Sequence, residues 1–253
     1  YVDCTLRNNH STGDGGGFAT GGGNVRIEGC RFEGNTAELN GGGLIHDGGT
    51  APLVDVIDTT FVGNSAFNGG AVYYERHGSF GSLQPFTDCL FEGNVALGDG
   101  GALVLEASSQ GLFFGFAETV TERCLFVGNQ AGGDGGAIRA RKGYHEVLDS
   151  TFFGNTAGGL GPAIRRDLSG RGLFGGGAFE MRNSIVWGHG PMPLALGPVP
   201  TVAFSDIEGG HDGTGNAVYT AALVGDIGNS LQAVVANVDA GAGTYDLTVQ
   251  LAA

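Results

Sequence analysis

The chain has 253 residues, 51 of them glycine, yet 41% are hydrophobic, 16 are phenylalanine and only 7 are proline; this excludes a collagen-like or disordered chain and indicates a folded, turn-rich one. Its 12 Lys plus Arg against 26 Asp plus Glu give a formal charge of −14, so no basic surface is left to neutralise phosphates, and nucleic acid and anionic membrane are poor partners for it. No apolar run approaches the ~18 residues of a membrane-spanning helix.

In chain order the sequence is a series of near-copies. The first has Cys4, Leu6 and Asn9, followed by the run GDGGGFATGGG from Gly13. Those glycines look like a phosphate-binding loop, but no lysine and no helix follow, so they read as a turn. Asn9-His10-Ser11 matches a glycosylation sequon at a position the repeat already uses. The next copies are Cys30, Phe32, Asn35 and Gly41; Thr59, Phe61, Asn64 and Gly69; Cys89, Phe91, Asn94 and Gly100; Cys124, Phe126, Asn129 and Gly135; Ser150, Phe152, Asn155 and Gly161. The seventh, Ser184 and Val186, carries His189 in place of the asparagine. Before the glycines stand Asp14, Asn40, Asn68, Asp99, Asp134 and Leu160, and Pro162 replaces the second glycine of the sixth pair. From each first glycine to the next anchor the length varies between 17 and 26 residues, whereas the segment before it is nearly constant. A fixed segment joined to an elastic one suits a coil with a fixed corner and a variable loop.

A small residue stands two positions before each anchor, so the two share one face of a strand. Phe18, Leu44, Val72, Leu103, Ile138 and Ile164 supply a second inward position after the glycine pairs. Glycine density and the lack of a 3.6-residue period argue against helix. Short strand sets of this kind become stable by stacking on parallel neighbours. The expected fold is all-β, a parallel β-helix solenoid of about seven rungs over residues 1–190, with 191–253 a closing coil or β cap in which TYDLTVQL alternates like a strand. Asparagine tolerates left-handed backbone angles and its amide can bond to the amide one rung away, so Asn9, Asn35, Asn64, Asn94, Asn129 and Asn155 form an expected corner ladder. The glycine pairs fall where the chain bends too sharply for a Cβ.

The motif FxGN followed by GGA and an aliphatic residue, as in FVGNSAFNGGAV, FEGNVALGDGGAL and FVGNQAGGDGGAI, resembles the repeats of polymorphic outer membrane proteins and related right-handed β-helix surface proteins. The later NSIVWGHG and VAFSDIEGGHDGTGN, then GTYDL, look like the closing coil of secreted bacterial β-helix proteins that end in variable anchors. The resemblance implies a right-handed solenoid, an extracellular or cell-surface location, and adhesion or structural assembly, with no catalytic residues and no cofactor to carry over. Its expected partners are other protein chains, including copies of itself, and surface glycans. A carbohydrate-active enzyme or polysaccharide-binding module is the alternative, on fold analogy alone.

Asp99 and Asp134 stack one strand spacing apart, where two carboxylates repel unless a cation or proton intervenes; calcium is one reading and a ladder of Asx turns the other. Arg139 and Arg165 share a repeat position and are expected to project outward beside Asp149 and Asp167, as a solvated mixed-charge face or as groups acting on an acidic polysaccharide. The four cysteines can stack as free thiols, or pair as Cys4 with Cys30 and Cys89 with Cys124. The six histidines have no metal-ligand spacing, and His189 reads as a substitute in the ladder. By strand parity the residue after each anchor faces outward, so Val127, Phe153 and Trp187 form an apolar, partner-facing ridge, covered by another chain or by the C-terminal segment.

Overall fold

A computed structural model of the chain describes residues 1–208 apart from 22–23, 48–53, 78–82, 109–117, 142–143, 168–178, 191 and 197–199, and every regular element among them is a strand. The strands build four sheets whose pairings are all parallel and follow chain order, which makes the molecule a right-handed parallel β-helix. The anchor sheet contains Thr5–Arg7, Arg31–Glu33, Thr60–Val62, Leu90–Glu92, Leu125–Val127, Thr151–Phe153, Ile185–Trp187 and Asp206–Ile207. The corner sheet consists of His10–Ser11, Thr36–Ala37, Ser65–Ala66, Val95–Ala96, Gln130–Ala131 and Thr156–Ala157. The middle sheet is made of Phe18–Thr20, Leu44–Asp47, Val72–His77, Leu103–Ser108, Ile138–Arg141, Ile164–Asp167 and Leu194–Ala195. The closing sheet has Val25–Glu28, Val54–Ile57, Leu83–Thr87, Glu118–Glu122, Tyr144–Leu148, Phe179–Arg182 and Thr201–Ala203.

Register is set by the anchors: Phe32, Phe61, Phe91, Phe126 and Phe152 are paired directly, coil on coil. Their rings stack with centroids 4.8, 5.0, 4.7 and 4.7 Å apart, which is the spacing of parallel strands. The elastic segments join the middle sheet to the closing sheet, where extra length disturbs neither stack. Stacking continues beyond residue 190, because Leu194–Ala195, Thr201–Ala203 and Asp206–Ile207 pair onto the coil before them. Residues 209–253, with HDGTGN and TYDLTVQL, lie outside the described residues.

The second glycine of each pair is where backbones approach most closely: a Cβ on Gly101 would lie 2.1 Å from the carbonyl oxygen of Gly136. The left-handed turn at the corner does not fall on the ladder asparagines. It falls on the residue before each, Gly34, Gly63, Gly93, Gly128 and Gly154, with Asn8 in the first coil. The asparagine side chain has to point inward, so the preceding glycine takes the conformation that an L side chain resists. A second left-handed turn precedes each small residue, at Asp58, Asp88, Arg123, Asp149 and Asn183. Its trace in the sequence is a run of mostly Asp and Asn at that position.

Candidate functional surfaces

Two ladders engage the buried asparagines and the small Cys, Thr and Ser residues. In the first, Asn94 Oδ1 accepts from the backbone N–H and from Nδ2 of Asn64, both at 3.0 Å, while Asn94 Nδ2 donates to Phe61 O at 2.9 Å and Asn129 Oδ1 at 3.0 Å. The same bonds link Asn9 to Asn35, Asn35 to Asn64 and Asn129 to Asn155. His189 ends the series, with its Nε2 3.1 Å from Asn155 Nδ2. Burial holds the His189 pKa down to about 4, so its ring is neutral and can accept that bond.

The second ladder was not legible as one. Cys124 N donates to Ser150 Oγ at 3.1 Å, Ser150 N to Ser184 Oγ at 3.2 Å, and Ser184 N to Ser205 Oγ at 3.2 Å. Each side chain also donates back to a carbonyl two residues upstream, as Ser150 Oγ does to Leu148 O at 2.7 Å. All four cysteines are free. Their thiols turn to backbone carbonyls, Cys124 Sγ to Glu122 O at 3.3 Å, rather than to each other, and burial pushes the Cys124 thiol pKa well up. The signal was present in the alternation of Cys, Thr and Ser, which share one donor and one acceptor capacity.

The outer face of the middle sheet is sealed. Ile45, Tyr73 and Val104 form an outward column that is nonetheless buried, and Arg139 and Arg165 continue it in register. Arg139 is 6% exposed. Its Nη1 lies 3.3 Å from Asp134 Oδ2, its Nε 3.6 Å from Asp99 Oδ2 and its Nη2 3.0 Å from Asp167 Oδ2. Arg141 reaches Asp99 at 2.6 Å and Glu106 at 3.2 Å, and Tyr73 donates to Glu106 at 2.9 Å. Arg139 is therefore enclosed by carboxylates rather than solvated, and Asp149 sits in the turn before Ser150 instead of beside it. Asp99 and Asp134 split their oxygens between two tasks. Oδ1 of Asp99 accepts from Asp134 N at 2.8 Å and Oδ1 of Asp134 from Leu160 N at 2.7 Å, while each Oδ2 faces arginine.

Since guanidinium stands beside this carboxylate pair, a chelator is expected to leave the melting temperature unchanged. Arg139→Met, which takes the most buried cation from among three carboxylates, is expected to lower it by about 5 °C, taking about 2 kcal/mol for a partly buried cluster. A chelator-induced fall that vanishes in an Asp99→Asn, Asp134→Asn double variant would assign the pair to calcium instead. Among the described residues no group of three or more His, Cys, Asp or Glu is arranged to hold a metal ion. The described histidines have other roles: His145 Nδ1 lies 2.6 Å from Thr119 Oγ1, and His46 stacks on Tyr74 at 4.9 Å.

The outer face of the anchor sheet has no other strand over it among the described residues. Val127, Phe153 and Trp187 are paired in register on successive coils. Phe153 is 37% exposed and its two neighbours are half-buried. Parity also turns the residue before each anchor outward, which adds Leu125 and Ile185 to the strip. At its lower coils the same face carries Arg7, Arg31 and Glu33. At its upper end burial raises the pKa of Asp206 to about 6. A second exposed apolar group, Leu39, Phe67 and Leu97, lies on the turns after the corner sheet, a feature the repeat pattern conceals because it falls in the tolerant positions.

No curated protein and no solved structure gives a significant match to the chain. Residues 88–106 and 123–141 match the family model of the Chlamydia polymorphic membrane protein repeat. Each match runs from the turn before the small residue, through anchor and corner, into the middle sheet. The fourth and fifth coils of this β-helix are thus similar to polymorphic membrane protein repeats.

Proposed function

We propose that this chain is a non-enzymatic, surface-exposed segment of a bacterial β-helix protein, serving adhesion or extracellular assembly, and that it docks a second copy of itself through the strip Leu125, Val127, Phe153, Ile185 and Trp187. The repeat family supports the surface location. The observation that carries the docking reading is Phe153, a large aromatic side chain left 37% exposed on a flat parallel sheet amid other apolar groups. The interior ladders and the sealed middle face have their polar groups engaged internally, whereas this strip has nothing over it among the described residues. A flat strip that changes from apolar to charged along the axis is able to meet its own copy in antiparallel fashion. The wild-type chain is expected to run as a dimer or larger by light scattering, and Phe153→Glu as a monomer with an unchanged circular dichroism spectrum. A wild-type chain that is already a folded monomer would overturn the self-docking reading. Unfolding of a monomeric Phe153→Glu would show that the strip is covered from within the chain.

A further inference from the structure

The strand Ile164–Asp167 separates its two arginines by parity. Arg165 points outward to Asp134, 3.7 Å away, while Arg166 points inward with Ile164. The inward column at this position reads His46, Tyr74, Leu105, Ala140 and Arg166 on successive coils. Arg166 is 3% exposed, its Nε is buried without an acceptor, and it has no hydrogen-bond or ion-pair partner among the described residues. The contrast with Arg139, which lies within ion-pair distance of three carboxylates, is one of charge balance and not of burial. Loss of water with nothing in exchange holds the Arg166 pKa below the usual arginine value. A guanidinium in that position is costly unless an anion meets it.

No described residue supplies one within hydrogen-bond or ion-pair distance. Ala140, beside Arg166 in the column, has the smallest side chain of that series. Buried His145 and Phe179 pair on the closing sheet at the same two coils, and buried Leu196 follows the Arg165–Ala195 pair in the next. The segments that join the middle and closing sheets from the fourth coil to the seventh, 109–117, 142–143, 168–178 and 197–199, contain no Asp or Glu in their sequence.

We propose that Arg166 is the anchor of an anion site inside the sixth coil and that its ligand is a carboxylate. The guanidinium fork matches a carboxylate in plane and spacing. At a buried guanidinium a singly charged, weakly hydrated group is accepted more readily than a phosphate or sulfate dianion, whose desolvation costs more. The carboxylate can belong to a free small acid or to an acidic sugar unit.

The test uses the whole chain in a chloride buffer free of carboxylates and follows thermal melting with sodium acetate, sodium glucuronate, digalacturonate, sodium phosphate and extra sodium chloride at matched ionic strength. Wild type is expected to melt several degrees higher with a carboxylate and not with chloride. Arg166→Met, which removes the lone charge, is expected to melt above wild type in ligand-free buffer and to lose the response. A response to acetate and glucuronate alike identifies a site for small acids, and one confined to glucuronate and digalacturonate identifies an acidic sugar. Arg166→Lys keeps the charge without the fork and is expected to respond more weakly. The proposal is overturned if no carboxylate shifts wild type, if phosphate shifts it more than any carboxylate, if Arg166→Lys responds as wild type does, or if Arg166→Met melts lower than wild type in ligand-free buffer.

Discussion

Asn94→Ala is expected to lower the unfolding free energy by about 4 kcal/mol or more, the largest effect of any single polar substitution in this chain. The side chain is fully buried and makes four hydrogen bonds, accepting twice from Asn64 and donating to Phe61 O and Asn129 Oδ1. Truncation takes a partner from Asn64 N, Asn64 Nδ2 and Phe61 O on the third coil and one of the two donors from Asn129 Oδ1 on the fifth, at about 1–3 kcal/mol for each buried group left unpaired. Water cannot repair the loss, because the corner is closed by the Phe61 and Phe91 rings, which stack with 5.0 Å between centroids. Asn9→Ala removes the same side chain at the first rung, where the residue is exposed, and is expected to cost about 1 kcal/mol or less. Denaturant midpoints followed by circular dichroism compare the two. Equal costs would mean that the ladder contributes no more than a surface turn does.

Phe126→Ala is expected to cost about 3–5 kcal/mol. The ring is fully buried and sits between Phe91 and Phe152, with centroids 4.7 Å away on each side. Its removal opens a cavity in a column that cannot collapse, because strand spacing fixes the separation of the neighbouring rings. Phe126→Leu keeps most of the volume and is expected to cost about 1.5 kcal/mol or less. A midpoint unchanged in Phe126→Ala would mean that this register does not exist in solution.

Both expectations are readable in the chain itself, and the reason is geometric. In a parallel solenoid every coil presents the same environment at the same place, so the residue that fits it recurs: Phe at the anchor, Asn at the corner, glycine where Gly101 and Gly136 meet. The aromatic column, the ladder and the elastic segments between middle and closing sheets are therefore written as repetition. The outward parity of Val127, Phe153 and Trp187 follows from the same period of two.

What repetition cannot carry is an interaction between positions that do not repeat. The left-handed turn of the corner went to the glycine before each asparagine because the asparagine side chain must face inward, a choice made by the hydrogen-bond partners and not by backbone preference. The Cys, Thr and Ser series became a ladder only when stacking brought each side chain to the N–H of the coil before it. The arginines differ most. Arg139 and Arg166 are the same residue type on adjacent coils, yet one meets Asp99, Asp134 and Asp167 and the other meets no carboxylate among the described residues. Sequence periodicity determined which side of the strand each one occupies. Whether a charge waits there was decided by the register that carries Asp99 and Asp134 around the turn to the outer face alone, because electrostatic partnership depends on distances of a few ångströms between segments that lie far apart along the chain.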